Sequence, residues 1–476
     1  MSRSITGSSA RSLARLVMLA VLCVGSVVVA APGAGPEGLW LGTLDAGAIK
    51  LRLAFHIVRA PDGALTVTMD SLDQGVNGIA VARVTYNAPS LHFELERPKA
   101  KFDGTLAGDK LTGTWTQGRG LPLVLSRVDK IEVVRPQEPR RPFPYTEEEV
   151  AISVRASPRD PAHLERITLA GTLTLPSGKG PFPAVVFITG SGPQDRDESI
   201  FGHKPFLVLS DALTRRGIAT LRVDDRGVAK STGSADASTT LDFAEDVKSE
   251  LAWLAARPEI DRRAIGVIGH SEGGVIGPIV AATSDRARFV VMLAGTGMAG
   301  DRVLLAQTVT LARVAGKPDD KIKHARETAE TLYRSLRAAR TDAEADAAVR
   351  ALIASSPELQ EAGDNVGKRL RSPWMRAFLQ LDPVPYLEKL RVPVLAVSGD
   401  NDLQVPKDNL PLIAAALRRG KNPDVTTKLF PGLNHLFQHT ATGAITEYAS
   451  IEETFAPEAL QLVCDWIVER TARLRR

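Results

Sequence analysis

Hydrophobic and polar side chains alternate with a period of two in the first third of this 476-residue chain. Leu51, Leu53 and Phe55 are separated by polar or small residues, and similar short runs recur up to about residue 128. This period is typical of strands with one buried face, and turn-forming segments such as Pro-Asp-Gly at 61–63 separate the runs. We therefore expect a separate N-terminal antiparallel β domain over residues 37–128, a meander or a small barrel.

From about residue 148, apolar runs typical of buried strands alternate with segments of helical periodicity. Apolar residues recur at helical spacing between Leu241 and Leu254, and Thr239 with Asp242 resembles a capping box at the start. The alternation predicts an α/β fold with a mainly parallel sheet covered on both faces. The predicted strands lie at 184–188, 218–223, 264–268, 289–293, 392–397 and 425–430.

Two segments depart from this alternation of strand and helix patterns. The proline-rich segment 129–147 predicts an exposed linker after the β domain. Between residues 301 and 390 no strand pattern occurs, and apolar positions such as Ile322, Ala329 and Leu336 follow helical spacing. We predict that this segment is a helical cap inserted into the α/β domain. The two parts of that domain are then residues 148–300 and 391–476.

The N-terminus has the three-part pattern of a secretory signal. Three arginines precede an apolar run at 16–29, and small residues allow cleavage after Ala30. We predict a signal peptide over residues 1–30 and a secreted or periplasmic protein, with an uncleaved N-terminal anchor as the alternative. No later apolar run reaches 18 residues, so we expect no further membrane span.

Composition narrows the possible functions. The chain has 59 Lys and Arg against 55 Asp and Glu, but three of the arginines lie in the first 30 residues, which contain no acid. The remainder carries 56 basic and 55 acidic side chains, so global charge does not indicate nucleic-acid binding. Only Cys23 and Cys464 are present, which excludes a disulfide-rich scaffold and a cysteine zinc site. We expect no metal and no cofactor.

The strongest chemical signal is the segment 269–273, Gly-His-Ser-Glu-Gly, which fits G-x-S-x-G. It follows a predicted strand and opens an apolar run, which is the strand–turn–helix context of a nucleophile elbow. In such a turn the serine hydroxyl is exposed at the edge of the sheet, and small residues on either side prevent clashes. We predict that Ser271 is the nucleophile.

A serine nucleophile needs a base and an orienting acid, which in this motif's fold follow in the order acid, then histidine. His435 comes directly after the predicted strand 425–430, and we favour it over His439 as the base. Asp402 is the predicted acid, three positions after a glycine that ends a strand, and Asp400 is the alternative. The other aspartate would hydrogen-bond the turn.

Transition-state charge on the substrate oxygen requires preorganised donors. One predicted donor is the backbone N–H of Glu272, directly after the nucleophile. The second should come from the small-residue loop that follows the strand 184–188. We favour the backbone N–H of Ser191, with that of Gly192 as the alternative.

Two other motifs favour structural interpretations. The segment 295–300 matches G-x-G-x-x-G, but a polar segment of helical pattern follows instead of the βαβ unit that a dinucleotide site requires. Asp224 and Asp225 resemble a carboxylate pair, but no histidine is near, and we interpret them as a structural turn paired with Arg226.

These motifs together resemble bacterial α/β-hydrolases of the serine esterase group that carry a β-rich N-terminal domain. The resemblance rests on the residues around Ser271, Asp402 and His435 and on the segments 190–196 and 224–233, and it covers roughly residues 182–435 apart from the cap. It implies an α/β-hydrolase fold and a Ser271–His435–Asp402 triad.

The leading hypothesis is a secreted serine hydrolase that cleaves small-molecule carboxylic esters through an acyl-enzyme. A peptidase or amidase with the same triad is the first alternative. A second alternative is a lipid- or glycan-binding protein that uses the β domain. A dinucleotide-dependent oxidoreductase would require a bound nicotinamide or flavin. The sequence indicates neither the acyl group nor the oligomeric state.

Overall fold

A computed structural model describes residues 35–475 of the chain, with short gaps. The predicted signal peptide, residues 1–30, lies outside the described residues and stays a prediction. The chain forms two compact units, one ending at residue 134 and including 447–452, and the other comprising 135–446 and the C-terminal part from 453. The gaps are at 46, 48–49, 61, 73–75, 97–98, 132–134, 160–163 and 356–363.

The N-terminal unit is a nine-stranded antiparallel sheet, as the period-two pattern predicts. Its strands are β1 Gly38–Asp45, β2 Lys50–Arg59, β3 Leu65–Ser71, β4 Val76–Ala80, β5 Arg83–Asn87, β6 Ser90–Leu95, β7 Ala100–Ala107, β8 Lys110–Gln117 and β9 Arg119–Val128. Strand β1 pairs with both β2 and β9, and β4 and β5 are the two edge strands. Aromatic rings from several strands, among them Phe55, Phe93 and Phe102, fill the core, with centroids 4.8–5.0 Å apart between neighbours.

The second unit contains an eight-stranded mixed sheet, in the order β10-β11-β13-β12-β14-β15-β16-β17. The strands are β10 Thr146–Arg155, β11 Arg166–Leu175, β12 Phe182–Ile188, β13 Ala219–Val223, β14 Ile260–His270, β15 Val290–Leu293, β16 Val394–Gly399 and β17 Val425–Phe430. From β13 to β17 all pairs are parallel, which confirms the mainly parallel sheet. Strand β10 begins inside the segment predicted as a linker.

Both faces of this sheet are buried, as parallel strands require. Consecutive residues of β12 point to opposite sides, so that Val186 belongs to one hydrophobic cluster and Val185 and Phe187 belong to the other. Helices α2 Thr240–Ala255 and α3 Gly273–Thr283 contribute to the first cluster, and helices α1 Pro205–Thr214 and α12 Pro457–Leu474 contribute to the second.

Helices occupy most of the chain between β15 and β16. Those in the described residues are α4 Gly300–Val314, α5 Asp319–Ala338, α6 Asp342–Ser355, α7 Asp364–Arg371, α8 Pro373–Gln380 and α9 Val384–Lys389. Helices α10 Asn409–Arg419 and α11 Ile445–Tyr448 follow β16 and β17. None of the helices in the described part of the chain has the length and hydrophobicity needed to cross a bilayer.

Candidate active site

Ser271 occupies a sharp turn between β14 and α3. Its φ of 53° lies in the left-handed region, which is strained for a residue with a side chain. The turn is held by the Ser271 backbone N–H, which donates to the carbonyl of Leu293 at 2.8 Å. A Cβ at Gly269 would overlap the carbonyl of Gly273, and one at Gly273 would overlap the carbonyl of Ile188. Only glycine fits at these two positions, which explains the motif in physical terms.

His435 and Asp402 lie together beyond β17 and β16. The His435 Nδ1 is 2.7 Å from the Asp402 Oδ2, and both side chains are buried. Because a carboxylate can only accept, the Nδ1 of His435 carries the proton in this contact. The Nε2 of the neutral imidazole is then free to accept a proton from another group. The second oxygen of Asp402 accepts the backbone N–H groups of Gln404 and Val405 at 2.8 and 2.9 Å.

The two rejected candidates lie elsewhere. Asp400 uses its Oδ1 to accept the Gly432 backbone N–H at 2.6 Å, so it stabilises the turn after β17. His439 is exposed and contacts the carboxylates of Glu453 and Glu458. The side chain adjacent to Asp402 is therefore His435 and not His439.

Ser271 and His435 line one cavity, together with Gly190, Ser191 and Glu272. The Glu272 backbone N–H lies at the N-terminus of α3, where the first amides of a helix lack intrahelical partners. Ser191 belongs to the lining of the cavity, whereas Gly192 is outside the set of described residues that line it. The arrangement can hold a carbonyl group beside the Ser271 hydroxyl.

A buried carboxylate that sequence reasoning missed lies behind the loop of Ser191. Glu198 is 2% exposed, and its Oε1 accepts the Gly190 backbone N–H at 2.8 Å and the His270 Nδ1 at 2.9 Å. The other ring nitrogen of His270 donates to the backbone carbonyl of His435 at 2.9 Å. Because both neighbours are acceptors, both nitrogens of His270 carry protons.

Electrostatics agree with a charged His270. Burial lowers the pKa of its imidazole, but the charge of Glu198 and the hydrogen bonds to Glu198 and to the His435 carbonyl outweigh it, so that the pKa is raised. Glu198 and His270 thus form a buried ion pair that joins the loop of Gly190, the end of β14 and the loop of His435. No pattern in the sequence pairs residues 72 positions apart.

Glu272 links the site to the helices between β15 and β16. Its Oε1 accepts the Thr240 hydroxyl and the Trp374 indole N–H, each at 2.7 Å. Burial raises the pKa of this carboxyl, although these hydrogen bonds oppose the shift. Sequence reasoning assigned Glu272 only its backbone N–H and missed the roles of Thr240 and Trp374.

The pairing predicted for the Asp224–Arg226 turn is wrong. Asp224 binds Arg196 at 2.7 Å, and Arg226 binds Asp246 at 2.6 Å, because the turn faces two different elements. Asp225 accepts the Thr189 hydroxyl at 2.8 Å and the Gln194 backbone N–H at 2.9 Å. These contacts of Asp224 and Asp225 stabilise the loop that carries Ser191.

The glycines of the G-x-G-x-x-G segment serve close packing. A Cβ at Gly300 would overlap the carbonyl of Phe378, and one at Gly297 would lie 2.8 Å from the Ile413 backbone nitrogen. Helix α4 begins at Gly300, and β15 reaches its parallel neighbour β16 only through the long helical segment 301–390, unlike the short crossover of a dinucleotide-binding βαβ unit. The motif therefore reflects the approach of helices to the end of β15.

The fold and the geometry around Ser271 define an α/β hydrolase, an enzyme class that includes serine hydrolases. A family model described as X-Pro dipeptidyl-peptidase (S15 family) matches residues 166–437. This span is more than half of the chain, and the chain belongs to that family. The resemblance to bacterial α/β-hydrolases of the esterase group is thereby confirmed.

Three individual proteins are similar to this chain. The chain is 28% identical over 268 residues to esterase EstD of Thermotoga maritima, a match that covers 56% of this chain and 58% of that protein. An esterase of Pyrococcus furiosus is similar with a TM-score of 0.44 and 15% identity, covering 72% of this chain and 99% of the other. The α/β hydrolase GrgF of a Penicillium species has a TM-score of 0.42 and 16% identity, covering 69% and 100%.

We predict that Glu198→Gln destabilises the protein most at low pH. A histidine whose folded pKa is raised contributes stability below its unfolded pKa of about 6.5, and the contribution is lost as the pH rises through the folded pKa. The variant should lose about 1–3 kcal/mol at about pH 6 and less at about pH 9. Denaturant unfolding of both proteins across this range measures the difference.

Glu453→Gln is the matched control, since Glu453 also contacts a histidine, His439, but at an exposed site. We expect a loss of about 0–1 kcal/mol for this surface pair. A Glu198→Gln penalty that grows toward high pH would contradict a charged His270.

Proposed function

We propose that this enzyme hydrolyses carboxylic esters through an acyl-enzyme on Ser271. The observation that carries the proposal is the 2.7 Å contact of Asp402 with His435, a residue that lines the same cavity as Ser271. A serine hydroxyl becomes an effective nucleophile only beside a base that a third group orients. The chain order Ser271, Asp402, His435, which is the order expected for this fold, supports the assignment of these three roles.

The chemistry has two half-reactions. In the first, the Ser271 Oγ attacks the ester carbonyl carbon, and the Nε2 of His435 takes the hydroxyl proton. The same nitrogen then gives the proton to the departing alcohol oxygen, which leaves the acyl group on Ser271. In the second, a water molecule loses a proton to His435 and attacks the acyl carbon. The bond from that carbon to the Ser271 Oγ then breaks, His435 returns the proton to the Oγ, and the carboxylic acid leaves. Asp402 stabilises the imidazolium in both halves.

The oxyanion formed in each half-reaction binds backbone amides. The Glu272 N–H is one donor, and its place at the start of α3 supports this role. The Ser191 N–H is the second donor; Ser191 belongs to the cavity lining, and the alternative, Gly192, is outside the described lining, which supports this choice. Glu198 accepts the Gly190 N–H and thereby holds this loop in position.

Residues 301–390 act as a cap over the catalytic cavity. Leu304, Trp374 and Phe378 from helices α4 and α8 belong to the cavity lining. The Trp374–Glu272 hydrogen bond ties the cap to the residue after the nucleophile. The cap therefore shapes the pocket for the part of the substrate that is not at the carbonyl.

Peptide hydrolysis is the second candidate function. The family description, X-Pro dipeptidyl-peptidase, favours it, and the esterase EstD relative favours ester hydrolysis. Relative rates on an ester and its matching anilide distinguish the two. A ratio of kcat/KM well above one for a para-nitrophenyl ester over the para-nitroanilide of the same acyl group supports the esterase. Comparable rates, or activity only on X-Pro anilides, would favour the peptidase.

Ser271→Ala should abolish hydrolysis while the protein remains folded. Loss of the nucleophile in such a triad costs on the order of 10⁴–10⁶ in turnover. Turnover of para-nitrophenyl acetate measures this, and circular dichroism checks the fold. A phosphonate probe should label the unmodified protein at Ser271 and leave the variant unlabelled. A folded variant that keeps more than about a tenth of the rate would reject Ser271 as the nucleophile.

Asp402→Asn should reduce turnover far more than Asp400→Asn does. An asparagine amide can favour the wrong tautomer of His435, and the same change in a serine protease triad costs on the order of 10⁴. In the Asp400→Asn variant the new amide oxygen could still accept the Gly432 N–H, so that loss should stay below about tenfold. Side-by-side turnover of the two folded variants decides the matter, and a larger loss at position 400 would reverse the assignment.

A further inference from the structure

The cavity that holds Ser271 contains a cation that the catalytic steps do not use. Arg369, on α7, is the one Lys or Arg among the described residues that line this cavity. It comes from the helical segment between β15 and β16, so its place beside the site arises from tertiary packing. The residues near it in the sequence carry no catalytic motif.

The two carboxylates of the cavity lining have hydrogen-bond partners of their own, although the Oε2 of Glu198 has none in the described structure. Glu198 is paired with His270 at 2.9 Å. Glu272 accepts hydrogen bonds from Thr240 and Trp374; burial raises its pKa, and these hydrogen bonds and the charge of Arg369 oppose that shift. Neither carboxylate is within ion-pair distance of Arg369 in the described structure.

Arg369 itself has no acidic partner within 4 Å among the described residues. Its guanidinium carbon lies 5.7 Å from the centre of the Trp374 ring, which stacks on Phe378 with centroids 4.9 Å apart. Leu304 adds a further apolar side chain to the lining. Burial lowers the pKa of the guanidinium, and the charge of Glu272 only partly offsets this shift.

Burying part of a guanidinium against aromatic rings raises the free energy of the folded protein unless an anion pairs with its charge. Arginine presents a planar fork of N–H donors that matches both oxygens of a carboxylate. The catalytic carbonyl cannot be this anion, because its oxygen is directed to the backbone amides of Glu272 and Ser191. A second acidic group on the substrate would satisfy Arg369.

We propose that Arg369 binds a free carboxylate of the substrate, so that the enzyme prefers esters that carry a second, unesterified carboxylate. This inference rests on the proposed ester hydrolysis at Ser271. The carboxylate could lie on the acyl side or on the alcohol side of the ester, and the two sources are separated by the choice of substrate.

Two matched pairs of substrates test the preference. For the acyl side, mono(para-nitrophenyl) adipate is compared with the para-nitrophenyl ester of adipamic acid, in which a neutral amide replaces the carboxylate. For the alcohol side, para-carboxyphenyl acetate is compared with para-carbamoylphenyl acetate. The native enzyme should show a kcat/KM ratio of at least about 10 for the anionic member of one pair.

Variants of Arg369 should change this ratio. Arg369→Gln should lower it about 10–100-fold, to near one, because the charged hydrogen bonds are lost. Arg369→Lys should retain part of the preference, since it keeps the charge without the fork. Lys368→Gln, which removes the same charge from an exposed neighbour on α7, should leave the ratio unchanged. A variant that only destabilised the fold would lower kcat/KM for both substrates of a pair by the same factor.

Calorimetric binding of adipate and adipamide to folded Ser271→Ala gives a readout that does not depend on turnover. Adipate should bind more tightly, and the Arg369→Gln change should remove the difference. Ratios near one in both substrate pairs, with equal binding of adipate and adipamide, would overturn the role of Arg369 even if neutral esters are hydrolysed well. Absence of hydrolysis of every ester would instead reject the proposed function, while the binding comparison would still decide the role of Arg369.

Discussion

The close approach of backbones around Ser271 is the constraint on which the rest of the site depends. At Gly273 a side chain would overlap the carbonyl of Ile188, and at Gly274 a Cβ would lie 2.8 Å from the Cα of Gly295. Strands β12, β14 and β15 can therefore meet only if the turn has no side chains at these points. The strained φ of Ser271 is the consequence, and the packing of the sheet maintains it.

A buried ion pair between Glu198 and His270 holds the neighbouring loops in position. Glu198 accepts the Gly190 N–H and the His270 proton, and His270 in turn donates to the carbonyl of His435. Leaving a buried charge without its partner is costly, so each member holds the other in place. The loop of the proposed oxyanion donor and the loop of the proposed base are thus positioned by one pair of side chains behind Ser271.

The helical segment meets this rigid site through a few polar contacts. The indole of Trp374 and the hydroxyl of Thr240 share one oxygen of Glu272, which joins α8 and α2 to the start of α3. The remaining cavity lining from the segment is mostly apolar, except for Arg369 and Gln307. The helices supply the chemical character of the pocket, whereas the sheet supplies the geometry of the reacting groups. Different caps on one sheet can therefore serve different substrates.

Local patterns were sufficient for much of this architecture. Alternation predicted the antiparallel sheet, because a buried face imposes its period on neighbouring residues, and apolar runs predicted central strands such as β12 at Phe182–Ile188. The capping residues Thr239 and Asp242 marked the start of α2 for the same local reason. Strands β10 and β11 were not among the predicted strands, and prolines directly precede β10.

The sequence by itself determined the candidates Ser271, Asp402 and His435, because strand–turn–helix context and chain order restrict where such residues can lie. Only the tertiary structure decided what surrounds them. Glu198 and Arg369 lie far from Ser271 in the chain, on segments with no periodic or motif signal. Their positions depend on how a loop and an inserted helix pack against the edge of the sheet, and that packing is a sum of distant contacts that no local pattern encodes.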